Sequence, residues 1–218
     1  MDSKNRTAWQ PVSADGPFRG PPLNRNGRPH NRNLGSLMVE YSIADAQTDM
    51  RSGYLCGAPG IAASSAAWLA AAALAFRVSS STAVLTLLIA GAFIHPAGVL
   101  LTRLLGSTGR HQPRNPLARL AMEGTFWLLA GIAVAFGMHV LRVEWFFPAM
   151  LLLIGGRYLT FQTVYGLPVY WLLGGALCIA GVTLALVKAP AAISALAGGL
   201  IELLFAVVVF GRTQRSAA

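Results

Sequence analysis

Six apolar stretches, each close to twenty residues long, decide what this chain can become. They run over residues 56–76, 83–105, 120–141, 145–165, 167–187 and 190–211. A helix rises about 1.5 Å per residue, so roughly 20 apolar residues cross about 30 Å of hydrocarbon. The expected fold is all-α: a six-helix transmembrane bundle over residues 56–211 in a chain of 218. Composition points the same way. Only 11% of the residues are charged and 55% are hydrophobic, with a mean hydropathy of +0.55, whereas soluble domains carry about 25% charged residues.

The net charge of +9 raises the question of nucleic acid, but no basic, aromatic-interleaved folded module is present. Cationic loops on one side of a membrane account for the excess. The expected partner is the lipid bilayer, with no nucleic acid, and a homo-oligomer or a membrane partner subunit is compatible with the pattern. Cys56 and Cys178 lie far apart in apolar runs. They read as two small apolar residues rather than a disulfide framework.

Residues 1–36 are rich in Pro, Gly, Asn and Arg and lack apolar periodicity. Such a segment buries too little surface to offset its ordering entropy, so a disordered tail is expected. It has no apolar core of signal-peptide length, and Met38 is an alternative start of translation. Over 38–55, Val39, Ile43, Ala46, Met50 and Tyr54 recur at helical spacing, with Glu40, Asp45, Asp49 and Arg51 elsewhere on the surface. That pattern predicts an amphipathic helix lying at the membrane interface. A short tail, 212–218, follows the last span.

Arginine and lysine positions orient the bundle. The tail and interfacial helix hold seven: Lys4, Arg6, Arg19, Arg25, Arg28, Arg32 and Arg51. The loop between the second and third spans adds Arg103, Arg110, Arg114 and Arg119, and the C-terminus adds Arg212 and Arg215. Arg77, Arg142 and Lys188 fall on the other side. The positive-inside rule then places both termini in the cytoplasm. Trp145, Phe146 and Phe147 read as an outer aromatic belt and Tyr165 as an inner one. The glycine pairs 155–156, 174–175 and 198–199 read as points of close helix approach, and Ser64, Ser65 and Thr125 as packing hydroxyls.

Four ionisable residues interrupt the apolar runs. Counting along each helix, Arg157 and His95 lie about 12 Å and Glu202 about 13 Å from the cytoplasmic boundary, with Glu123 about 6 Å in. A charge at such depth costs roughly 3 kcal/mol or more and normally faces a partner or water inside the bundle. His95, Glu123, Arg157 and Glu202 are therefore expected to meet as a buried polar cluster, with Arg157 paired to Glu123 or Glu202. Tyr158 and Gln162, four residues apart, would line the same region, and Pro96 after His95 would kink the second span. One histidine and two glutamates without paired ligand spacing do not make a metal site. No metal or other cofactor is expected. No Gly-rich phosphate loop, GxSxG elbow or CxxC occurs, so no catalytic residue is assigned and the chain does not read as an enzyme.

Several pieces together resemble a known group: YLCGAPG at 54–60, HP at 95–96, LLTRLLG at 100–106, NPL at 115–117, AMEGT at 121–125 and GGRYL at 155–159. The chain is similar, over about residues 44–211, to a family of small multi-pass bacterial membrane proteins of unknown function. That resemblance implies a bacterial cytoplasmic membrane and offers no activity or ligand. Two functions fit the residues. One is a structural or accessory protein whose buried charges lock the fold; the other is a small transporter or sensor with a proton- or anion-responsive cavity around Arg157.

Overall fold

A computed structural model describes residues 42–215. The expected tail 1–36, Met38, the first residues of the amphipathic helix and the last three of the chain lie outside the described residues. Among the described residues there are helices and no strands: α1 (Ile43–Tyr54), α2 (Ala58–Arg77), α3 (Ser80–Leu104), α4 (Pro116–Leu141), α5 (Phe146–Tyr165), α6 (Val169–Leu186) and α7 (Ala191–Arg215). A helix lies over each of the six expected stretches, with its ends within about four residues of the expected ones. The chain from 212 to 215 is a continuation of α7 rather than the start of a tail.

Local chemistry sets the helix ends. Ser42 caps α1 by accepting from the Asp45 backbone N–H, and the Asp45 carboxylate reaches back to the Ser42 N–H. This reciprocal pair satisfies two N–H groups that the first turn leaves free. Ser79 caps α3 in the same way, accepting from Thr82. Asn115 caps α4, its Oδ1 accepting from the Leu117 N–H at 2.9 Å, with Pro116 at the first helical position where no N–H is needed. Gly166 ends α5 with φ +65, a conformation that only glycine adopts freely.

Five helical segments are long and apolar enough to cross a membrane: Ile43–Arg77, Ser80–Leu104, Pro116–Leu141, Val169–Leu186 and Ala191–Gln214. Within the first, α1 and α2 are separated by a sharp elbow in which Leu55, Cys56 and Gly57 all have positive φ (49°, 56° and 83°). The sixth expected span, α5, is missing from the five. Arg157, Gln162 and its tyrosines lower its hydropathy. It is instead a heavily enclosed helix: Phe146, Phe147, Pro148, Met150, Leu151, Ile154, Gly155, Tyr158, Val164 and Tyr165 are all buried. A helix wrapped by its neighbours meets little lipid, so its own surface need not be uniformly apolar.

α5 packs along α6 and α4, and α2 packs along α7 and α3. α3 and α4 contribute few buried residues and leave large apolar side chains such as Phe93, Phe126 and Trp127 exposed. Glycine sets the α5–α6 spacing. A Cβ on Gly155 would fall 2.8 Å from the Gly174 carbonyl oxygen, and one on Gly174 would fall 2.7 Å from that of Gly155. Gly198 and Gly199 sit as closely against Trp68 and Leu69 of α2, whereas Gly156 and Gly175 face open space. Each of the first two expected pairs thus contributes one packing glycine.

Two aromatic expectations change. Phe146 and Phe147 are fully buried and Tyr165 is 7% exposed, so they belong to the core; Trp145 is partly exposed. Of the α1 stripe, Ala46 and Met50 are buried, but Ile43 is exposed. α3 runs without a break through Pro96.

Candidate functional site

α7 presents Ser194, Gly198 and Glu202 at four-residue spacing, hence on one face. α2 faces it with Ser64, Ser65 and Trp68; the Ser65 hydroxyl donates to the Gly199 carbonyl at 2.9 Å. Tyr158 of α5 closes the third side. Glu202 is completely enclosed, with 0% exposure. The hydroxyls of Ser64 and Tyr158 interact with its carboxyl, yet neither carboxyl oxygen reaches hydrogen-bond geometry. Trp68 Nε1 and Ser194 Oγ on the same α2–α7 seam are likewise buried without a partner. A buried polar group left unsatisfied costs about 1–3 kcal/mol. Four such atoms along one seam mark a place where the protein tolerates polarity that packing does not require.

Arg157 is next to Tyr158 in sequence and therefore about 100° further round α5. Its guanidinium carbon lies 5.3 Å from the centre of the Phe161 ring, and its Nη1 is buried without an acceptor. The Tyr158 phenol lies within the field of both Glu202 and Arg157. Tyr158 also begins an aromatic column. It stacks on Tyr170 at 6.1 Å, and Tyr170 stacks on Tyr165 at 5.4 Å. Phe161 meets Tyr158, Tyr165 and Tyr170 edge-on. The column ends at the α1–α2 elbow, where the Tyr170 hydroxyl donates to the Cys56 carbonyl at 2.6 Å.

Tyr158 thus interacts with Glu202 and has Arg157 as its neighbour on α5, and the other expected members lie apart. His95 on α3 and Glu123 on α4 are exposed, on the two helices that bury least. Gln162 is half-buried and makes no side-chain hydrogen bond among the described residues. The expected pairing of Arg157 with Glu123 or Glu202 does not occur. Among the described residues the ion pair is Arg142–Glu144, at 3.5 Å, between α4 and α5. The reason is rotational. Depth along a helix can be counted from sequence, but α3 and α4 are apolar on nearly every face, so the sequence does not say which face turns inward.

Ser64 belongs to this site, although its residue type alone suggested only packing; Ser65 bonds Gly199 across the α2–α7 contact, whereas the Thr125 hydroxyl bonds Ala121 of its own helix. The spacings Ser64–Trp68 and Ser194–Gly198–Glu202 are the signal that could have found the seam. A second polar assembly fastens α1. Asn115 Nδ2 donates to the Ala46 carbonyl at 3.0 Å and to Asp49 Oδ2 at 2.7 Å, and the Gln112 N–H donates to the same Asp49 oxygen at 2.9 Å. Arg51 donates to the Tyr165 carbonyl and Gln47 to that of Thr163, both at the C-terminal end of α5. The Tyr54 hydroxyl and His111 Nδ1 are 2.8 Å apart.

Residues 43–212 match a family of unknown function, DUF7010. The chain belongs to that family. The matched range begins with α1 and ends just inside the end of α7, so the whole set of helices described above is the family's domain. No curated protein and no solved structure matches the chain.

Proposed function

We propose that this DUF7010 protein is a small membrane transporter or sensor whose core site, around Arg157 and Glu202, responds to protons or anions. One observation carries the reading. A buried acid and a partly buried base stand on neighbouring elements, both with unsatisfied polar atoms, and do not pair. Charges kept only to lock helices together are expected to neutralise each other, since a buried charge left unpaired costs several kcal/mol. Ionisable groups inside membrane bundles more often mark ion pathways or relays. In this reading α5 is a sixth crossing, sheltered by α4, α6 and α7, and α1 lies at the cytoplasmic interface. The chain sits in a bacterial inner membrane with both termini in the cytoplasm, and lipid covers the apolar faces of α3 and α4.

The close glycine contacts between α5 and α6 and between α2 and α7 favour a second reading, a rigid structural or accessory subunit. Ligand-linked stability separates the two. A ligand that binds the folded state raises its stability by RT ln(1 + [L]/Kd). Unfolding of detergent-solubilised protein should therefore shift with pH or with added chloride, phosphate or sulfate, and Arg157→Gln should remove the anion-dependent part. An unfolding midpoint indifferent to pH and to all three anions contradicts the transporter or sensor reading and leaves the structural one. A reporter fused after Ala218 should report cytoplasm; a periplasmic signal overturns the topology.

A further inference from the structure

We propose that Glu202 is a proton-binding site: its carboxyl carries an exchangeable proton in the interior of the helix bundle, and the proton is the ion to which the site responds. The proton's role in signalling or transport rests on the function proposed above; its presence on Glu202 stands on the geometry alone.

Among the described residues, the surroundings of Glu202 contain no compensating cation. α7 packs against α2, α6, α5, the elbow before α2 and the turn before α5. From α2 come Ser64 and Trp68, and that helix's one charged residue, Arg77, is exposed at its far end. The titratable groups of α6 are Tyr170 and Cys178 and that of the elbow is Cys56, none of them a cation. The turn before α5 supplies Glu144, already paired with Arg142. α5 supplies Tyr158 and Arg157, and Arg157 forms no ion pair with Glu202. On α7 itself the remaining charges, Arg212 and Arg215, lie more than two turns further on. An ionised carboxylate enclosed in this way has two oxygens, no cation and no complete hydrogen bond, which would cost several kcal/mol.

A carboxylic acid fits the same space. It offers one O–H donor and keeps acceptor capacity on its other oxygen, and Ser64 and Tyr158 are hydroxyls that can serve on either side of such a group. Release breaks the acid's O–H bond, leaves the electron pair on the carboxylate and passes the proton to water. The carboxylate then has only O–H donors to turn to, those of Ser64 on α2 and Tyr158 on α5. Binding and release therefore change which donors are engaged between α2, α5 and α7, and this is how a proton would be felt by the helices.

Infrared spectroscopy of the full chain in vesicles of bacterial phospholipid tests the assignment. At neutral pH the wild-type protein should show the C=O stretch of a protonated carboxylic acid, shifting on exchange into deuterated buffer. Glu202→Gln should lose that band while keeping the helical circular dichroism of the wild type. Should the glutamine variant fail to fold, Glu202→Asp keeps the acid and must move the band. A wild-type spectrum without the band, or a band untouched by either substitution, overturns the proposal. A band that behaves as expected in a protein that transports and senses nothing keeps the proton on Glu202 and removes only the functional reading.

Discussion

Arg157→Gln separates two physical accounts of the membrane core. If Arg157 neutralised a buried glutamate, its removal would leave that carboxylate uncompensated and cost about 3–5 kcal/mol. The geometry gives a much smaller effect. The substitution removes the guanidinium from over the Phe161 ring, where it sits at 5.3 Å, an interaction worth about 0.5–2 kcal/mol. Against it stands the relief of a half-buried cation whose Nη1 has no acceptor, a penalty of about 1–3 kcal/mol that the smaller amide only partly retains. The two nearly cancel, so the variant should lie within about 1 kcal/mol of wild type, less than a tenfold change in the unfolding constant. Unfolding in mixed micelles, followed by tryptophan fluorescence, measures this directly. A double-mutant cycle with Glu202→Gln sharpens it. The coupling should stay within about 0.5 kcal/mol, as for residues that share no direct contact. A loss of 3 kcal/mol or more, together with a coupling above about 1.5 kcal/mol, would refute the unpaired arrangement.

Tyr170→Phe removes the hydroxyl that holds the Cys56 carbonyl at 2.6 Å in the left-handed elbow; a loss of about 1–3 kcal/mol is expected in the same unfolding assay, and an unchanged midpoint would show that the elbow does not need it. Gly174→Val should destabilise by about 1–3 kcal/mol or more through overpacking, because its Cβ would fall 2.7 Å from the Gly155 carbonyl oxygen; a variant as stable as wild type contradicts the close α5–α6 approach. Asn115→Ala removes an N-cap and two donated hydrogen bonds, a loss of about 2–4 kcal/mol, and hydrogen exchange should rise first in α1. Exchange that rises equally along all helices would mean that Asn115 does not fasten α1.

The helices were readable in the sequence because bilayer thickness fixes the length of an apolar run; the start of α4 at Asn115 and Pro116 lay outside the expected span. Arg157 and Glu202 were counted to nearly one level, but they form no ion pair; it is Tyr158, next to Arg157 on α5, that interacts with Glu202. Rotation about each helix axis was not readable. His95 and Glu123 sit on helices whose apolar residues surround every face, so nothing in the pattern distinguishes inside from outside. The same uniformity hid Ser64 and Trp68 among alanines. α5 misled in the opposite sense: its arginine and tyrosines looked anomalous for a span facing lipid, whereas they belong to a helix enclosed by others. Phe146 and Phe147 followed the composition of an interfacial belt but are buried, packed near Trp68 and His139.

Proton movement across reconstituted vesicles reaches furthest into the proposed function. With the purified protein in liposomes and a pH-sensitive dye inside, an imposed gradient of pH or of a permeant anion should collapse faster than in protein-free vesicles. Glu202→Gln, folded and inserted to the same extent, should bring the rate back to that of empty vesicles. Wild-type and Glu202→Gln vesicles that collapse the gradient at the same protein-dependent rate would contradict a role for Glu202 in moving protons.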